Sequence, residues 1–208
     1  MTAVFVESAA IDRVCVGVAN HGYAVVPDFL SMAAVSALAA DARERDEAGA
    51  FSAAGIGRAE ARHAQPDIRG DRILWLEPTG SDLPLRACWQ ALDALRAMLN
   101  QTLLLGLFSF EGHYAIYPPG AGYRRHRDRF RDDDARLLSS VLYLNAGWSK
   151  QDGGALRMHF DGGQQCDVLP FGGTLVCFLS ERFEHEVLPA TRERVALTGW
   201  FRRRGNPI

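Results

Sequence analysis

The chain has 208 residues, of which 48% are hydrophobic and 23% charged, with a formal net charge of −2. That mix excludes a disordered chain, a collagen-like chain and a coiled-coil rod. The near-neutral balance gives no global attraction to nucleic acid or to an anionic membrane surface, and a chain of this length buries roughly 70% of its unfolded surface without a staple. Lys150 is the only lysine among 23 basic residues, which beside so much alanine reads as a coding bias.

Apolar residues recur at three- and four-residue spacing over residues 7–20 (Ile11, Val14 or Cys15, Val18), which predicts a helix stopped by His21-Gly22. Residues 23–26 read as a short apolar strand ended by Pro27-Asp28. Ser31 is placed to cap a second helix with Val35, Leu38 and Ala39 inward, before a charged turn over residues 41–47. Residues 51–66 are small, polar and without a period, and read as a long mobile loop. Residues 73–76 form a strand, and Ser81 opens a third helix with Leu85, Trp89, Leu92, Leu95 and Leu99 on one face.

Beyond about residue 103 the texture changes to short β-rich runs: 107–110, 113–117, 137–144, 156–160, 174–179 and 195–201. Turn signals such as Pro118-Pro119-Gly120, Gly153-Gly154 and Gly172-Gly173 separate them. Evenly spaced strands behind a helical front predict an α+β protein with a β-sandwich or jelly-roll core. With no internal repeat or linker, residues 1–208 read as one domain, with a helical part over about 1–102 and a β core over about 103–202.

Cys15, Cys88, Cys166 and Cys177 are scattered and contain no CxxC, so they read as small buried apolar groups in a reducing setting. The N-terminus lacks the basic and apolar regions of a signal peptide. The longest apolar runs, such as residues 103–107, are too short to span a bilayer. A soluble, cytoplasmic protein is the expectation.

The chemistry-bearing residues start with His126 and Asp128. On an extended chain, residues i and i+2 share a face, so an imidazole and a carboxylate project together. That is half of a two-His-one-carboxylate site for Fe(II), and also what a solvated strand end in an Arg/Asp-rich run looks like. His185, in a more apolar setting, could complete it. Nine residues later Arg194 opens the last strand, where a buried guanidinium is a natural bidentate partner for the free carboxylate of a metal-bound keto acid. His113 reads as core packing on a pocket-lining strand. His21, His63 and His159 read as turn or surface residues, Asp132-Asp133-Asp134 as a solvated loop, Arg202-Arg203-Arg204 as solubilising, and Trp89 and Trp148 as packing residues.

Six stretches make the pattern specific: Ile68-Arg-Gly-Asp-Arg-Ile-Leu-Trp75, Tyr117-Pro-Pro-Gly-Ala-Gly-Tyr-Arg-Arg-His-Arg-Asp128, Tyr143-Leu-Asn145, Gly153-Gly-Ala-Leu-Arg157, His185-Glu-Val-Leu-Pro189 and Arg194-Val-Ala-Leu-Thr-Gly-Trp200. In this order they resemble the prolyl-hydroxylase branch of the 2-oxoglutarate- and Fe(II)-dependent oxygenases, closely the enzymes that hydroxylate hypoxia-inducible factor. The resemblance implies a double-stranded β-helix (jelly roll) with an N-terminal helical layer packed on one sheet. It implies Fe(II) on His126, Asp128 and His185, and 2-oxoglutarate on Arg194 and Tyr143. Tyr117, Thr198 and Trp200 would share that pocket, and Leu156 and Val187 would supply its apolar walls. Asp71 and Arg136 match a pair that shapes the peptide side in the family, where an acid and an arginine could close a bridge over the entrance; a surface ion pair is the plainer alternative.

The implied reaction consumes O2, converts 2-oxoglutarate to succinate and carbon dioxide, and hydroxylates a prolyl residue of an intracellular protein, with ascorbate as a possible reductant. A bacterial host, suggested by the alanine and arginine bias, would exclude the hypoxia factor and make a translation protein such as elongation factor Tu the implied target. Residues 51–66 occupy the place of the family's mobile finger but do not match it. The chain is also expected to lack the family's C-terminal helix and N-terminal zinc-binding region. The same chemistry on a free amino acid or other small molecule is an alternative reading, and a cupin-like metal protein or non-catalytic module is another. A nucleic-acid demethylase shares the metal motif but fits the charge poorly.

Overall fold

The computed structural model describes residues 8–56, 63–64, 67–77, 83–128 and 135–204. Ser81, Asp132, Asp133, Asp134 and most of the 57–66 stretch lie outside them. The three described α-helices lie in the first half of the chain: α1 (Ser8–His21), α2 (Met32–Glu47) and α3 (Leu83–Leu103). Ser31 caps α2 by accepting the Ala34 N–H at 3.3 Å. Residues 41–47, expected as a charged turn, are the last two turns of α2; Arg45 and Asp41 pair at i,i+4 there, which a helix places side by side.

Among the described residues, thirteen strands and two short 3-10 turns accompany these helices. A seven-stranded antiparallel sheet contains β1 (Tyr23–Val26), β11 (Leu175–Leu179), β8 (Arg136–Tyr143), β13 (Arg194–Arg203), β6 (Leu107–Tyr117), β5 (Arg72–Leu76) and β2 (Ser52–Ala53), in that order. A four-stranded sheet runs β10 (Gln165–Val168), β9 (Leu156–His159), β12 (Glu184–Val187), β7 (Tyr123–His126). The short strands β3 (Gly55–Ile56) and β4 (His63–Ala64) pair with each other.

Strand alternation sends the large sheet's side chains into two different cores. Tyr114, Ile116, Leu138, Leu142, Val195, Leu197 and Phe201 face the three helices, while Ala115, Tyr117, Val141, Tyr143 and Ala196 face the small sheet. With both faces covered, these strands read as continuous apolar runs rather than as alternating ones. The α+β jelly roll with a helical layer on one sheet is therefore the observed architecture. The helical front and β core are not separate stretches, however: β1, β2 and β5 all lie within residues 23–76, ahead of α3.

Two further expectations change. The 51–66 loop carries β2, β3 and β4, so its described part is held by strand pairing, β2 against β5. The runs 107–110 and 113–117 are one strand, β6. Gly112, inside that strand, lies opposite Gly199 on β13. A Cβ on Gly199 would come within 2.3 Å of the Phe110 ring and one on Gly112 within 2.9 Å, so the two glycines make room for that ring. Cys15, Cys88 and Cys177 are buried and Cys166 is half-buried, all free; burial pushes the Cys88 and Cys177 thiols up to about 12. No helix among the described residues is long and apolar enough to cross a membrane.

Candidate active site

His126 and His185 are direct cross-strand partners on β7 and β12, so both imidazoles project from the small sheet toward the large one. Asp128 follows two residues after His126. Its Oδ1 lies 3.4 Å from His126 Nε2 and 3.6 Å from His185 Nε2, and one ligand atom from each of the three residues falls within 4.8 Å of the others. The rings are oriented from behind. His126 Nδ1 lies 2.7 Å from the Arg124 carbonyl, the contact that assigns the proton to Nδ1 and leaves Nε2 free. Tyr123 stacks on His126 at 3.6 Å, and Phe178 meets His185 edge-on at 4.8 Å.

The electrostatics suit a cation. Burial pushes His185 down to about 4, against the attraction of Asp128, so its imidazole is neutral and basic at pH 7. Burial alone would raise Asp128, but His185, His126 and the Ser139 hydroxyl together hold it well below the usual carboxylate range. Two imidazole nitrogens and one anionic oxygen on one side of a cavity are the donor set that suits Fe(II) with open positions.

Arg194 opens β13 on the opposite sheet and is 2% exposed. Its Nε donates to the Gly154 carbonyl at 3.0 Å, and its guanidinium carbon sits 5.2 and 5.0 Å from the Tyr117 and Tyr143 ring centroids. Arg194 Nη2 and the Tyr143 hydroxyl are buried, and neither has a hydrogen-bond partner among the described residues. Register explains the grouping: Arg194 lies opposite Tyr117, Ala196 opposite Tyr143, and Thr198 opposite both His113 and Val141. Arg194 lines one cavity with the His-Asp-His cluster, Thr198 and Trp200. Leu156 and Val187, cross-strand partners in the small sheet, form the wall facing them.

A family profile described as the 2OG-Fe(II) oxygenase superfamily matches residues 112–202. A solved Pseudomonas putida prolyl-4-hydroxylase is 48% identical, with a TM-score of 0.86 over 93% of this chain and 99% of that one. The chain belongs to the 2OG-Fe(II) oxygenase superfamily. A Trichoplax adhaerens prolyl hydroxylase, solved with a peptide fragment of the hypoxia-inducible factor oxygen degradation domain, is 26% identical (TM-score 0.83; 92% and 88% of the two chains). Human Egl nine homolog 1 is 33% identical over 193 residues, 88% of this chain and 44% of that protein. The chain spans about half the length of the curated relatives it matches first.

Asp71 and Arg136, expected as a pair, are arranged differently from the expectation. Asp71 is 3% exposed, and both its oxygens are taken by Arg69, at 2.7 and 2.9 Å. Arg69 is two residues away on an extended segment, within reach of a bidentate grip. Arg136 instead donates to Glu111 at 2.7 Å and sits over Trp200, its guanidinium carbon 3.6 Å from the ring centroid. The expected Asp71–Arg136 bridge is thus replaced by two separate pairs. Sequence reasoning also missed Arg69 and Tyr123, which line the cavity, and Glu111, which accepts from Arg202 as well at 2.8 Å. Arg202 is therefore engaged rather than merely solubilising. The i,i+2 spacing of Arg69 and Asp71 was the available signal. His113 is buried between Trp75 and Trp200, in keeping with a packing role.

Proposed function

We propose that this chain is a 2-oxoglutarate- and Fe(II)-dependent dioxygenase that hydroxylates a prolyl residue in a protein, forming succinate and carbon dioxide. One observation carries the reading. Arg194 is a buried guanidinium with no carboxylate partner among the described residues, next to an unsatisfied Tyr143 hydroxyl and across a cavity from the His-Asp-His cluster. A buried cation in that state calls for an anion, and a dicarboxylate keto acid provides one end for Arg194 and one for a metal.

In this reading His126, Asp128 and His185 hold Fe(II). The iron, when bound, supplies the oxidising chemistry with O2 that decarboxylates 2-oxoglutarate and places one oxygen atom on the substrate carbon. The chain's own residues do the rest. Arg194 and Tyr143 donate to the far carboxylate; Tyr117 and Thr198 line the cosubstrate, and Leu156 and Val187 exclude water from it. Trp200, packed against Arg136 and His113, adds an aromatic wall to the cosubstrate pocket. Asp71 and Arg136 shape the entrance through Arg69 and Glu111. The names of the relatives supply the substrate class, a prolyl residue of a protein. Elongation factor Tu is the first protein to examine, and four free cysteines support a cytoplasmic setting.

The test is an anaerobic titration of the apo-protein with Fe(II) and 2-oxoglutarate, watching for the visible charge-transfer band of the chelate. The band should be absent in His185→Ala and require much more 2-oxoglutarate in Arg194→Ala. Mass spectrometry of lysate proteins after turnover should then show oxidised prolines. A metal-binding protein that gives no band overturns the keto-acid chemistry; turnover confined to a free amino acid overturns the protein substrate.

A further inference from the structure

Two serines behind Asp128 have no assigned role. Ser139 on β8 is 1% exposed and Ser180, just after β11, is 0% exposed. The Ser139 hydroxyl meets Asp128 Oδ2 at 2.6 Å and the Ser180 hydroxyl at 2.9 Å. The directions follow from proton counting. An ionised carboxylate only accepts, so Ser139 donates to Asp128. Ser139 has one hydrogen, so Ser180 donates to Ser139. The chain Ser180 → Ser139 → Asp128 is then polarised one way, and its last link is charge-assisted.

We propose that this hydroxyl relay makes Ser139 and Ser180 positioning residues that commit Asp128 to the metal through Oδ1 alone, and thereby keep one coordination position open beside a bound 2-oxoglutarate. The inference rests on the oxygenase reading above. Oδ1 faces both histidine Nε2 atoms while Oδ2 points back to the large sheet. Around a six-coordinate cation, two imidazoles and one carboxylate oxygen leave three positions. A chelating carboxylate would leave two, which a bidentate keto acid fills with nothing left for O2. Asp128 lies beyond the end of β7, outside the ladder that aligns His126 with His185. Its orientation therefore depends on this tether from the other sheet.

The experiment compares wild type, Ser139→Ala, Ser139→Thr and Ser180→Ala by anaerobic calorimetry with Mn(II), and by anaerobic titration of the Fe(II)- and 2-oxoglutarate-loaded protein with nitric oxide as a surrogate for O2, with no turnover required. Ser139→Ala is expected to keep Mn(II) and 2-oxoglutarate affinities within about threefold while nitric oxide affinity falls about 10- to 100-fold. Ser139→Thr, which keeps the hydroxyl, should restore it, and Ser180→Ala should fall between. Equal nitric oxide affinity in wild type and both alanine variants overturns the relay and leaves the oxygenase reading standing. Loss of Mn(II) binding in Ser180→Ala with an unchanged unfolding midpoint overturns it too, since the serines would then serve the metal itself. A Mn(II)-loaded wild type that takes up no 2-oxoglutarate overturns both.

Discussion

His185 and Asp128 share one pocket, and the pocket acts on them through different balances. For His185 the loss of water outweighs the nearby carboxylate, which pushes the imidazole down to about 4. An unfolded histidine takes up its proton near about 6.5. Between these values the unfolded chain holds a proton that the folded chain refuses, so stability falls as pH is lowered through that window and levels off below it. Asp128, held low, adds its own loss only at more acidic pH. From pH 7.5 to 5.0 the histidine accounts for roughly 2 kcal/mol in the metal-free protein. Urea unfolding of chelator-treated protein at those two pH values should show that drop, and His185→Phe should remove most of it. An equal drop in the variant would mean that another group governs the acid sensitivity.

At the scale of elements, β13 is the strand on which the cosubstrate end depends, and Asn145 fixes where it begins. The Asn145 side chain accepts the Val195 N–H at 2.7 Å and donates to the Pro170 carbonyl at 3.0 Å, both buried. Asn145→Ala strands both partners and should cost about 1–3 kcal/mol. Because Val195 follows Arg194 directly, 2-oxoglutarate should also bind several-fold more weakly. Calorimetry alongside urea unfolding separates the two effects; lost stability with unchanged 2-oxoglutarate affinity would confine Asn145 to the scaffold. A second test lies at the Gly112–Gly199 pair, where Gly199→Ala drives a methyl into Phe110 and should destabilise by about 1–3 kcal/mol. An unchanged unfolding midpoint would show that the ring can move aside. These elements also mark what the sequence could reveal. Strands β8, β11 and β13 are legible because both faces are buried, and α1 and α3 because one face is. The strands β7, β10 and β12 are four residues each with polar outward positions, too short for a period to stand out. His126, Asp128, His185 and Arg194 were legible through residue type and order. Glu111 was not, because only the fold brings Arg136 and Arg202 to it, and Arg69 showed only through its i,i+2 spacing to Asp71.

Across the whole molecule, the cluster and its cavity lie where the two sheets face each other. The small sheet brings both histidines, the large sheet brings Arg194 and Tyr143, and Ser139 ties Asp128 from one side to the other. A ligand that spans from the cluster to Arg194 therefore joins the sheets, and its binding must raise the free energy of separating them. At a hundredfold excess over its dissociation constant a ligand adds about 2.7 kcal/mol, which for a chain of this size raises the unfolding midpoint by roughly 5–10 °C. Mn(II) alone should produce part of that shift and 2-oxoglutarate alone almost none, since one carboxylate on Arg194 leaves the other end of the molecule without a partner. The two together should exceed the sum. In Arg194→Met the Mn(II) increment should persist while the further increment from 2-oxoglutarate disappears. Thermal unfolding in the four ligand conditions reads this directly. A 2-oxoglutarate shift that is the same with and without metal would mean that the keto acid binds one sheet only, and the bridging role of the cavity would have to be abandoned.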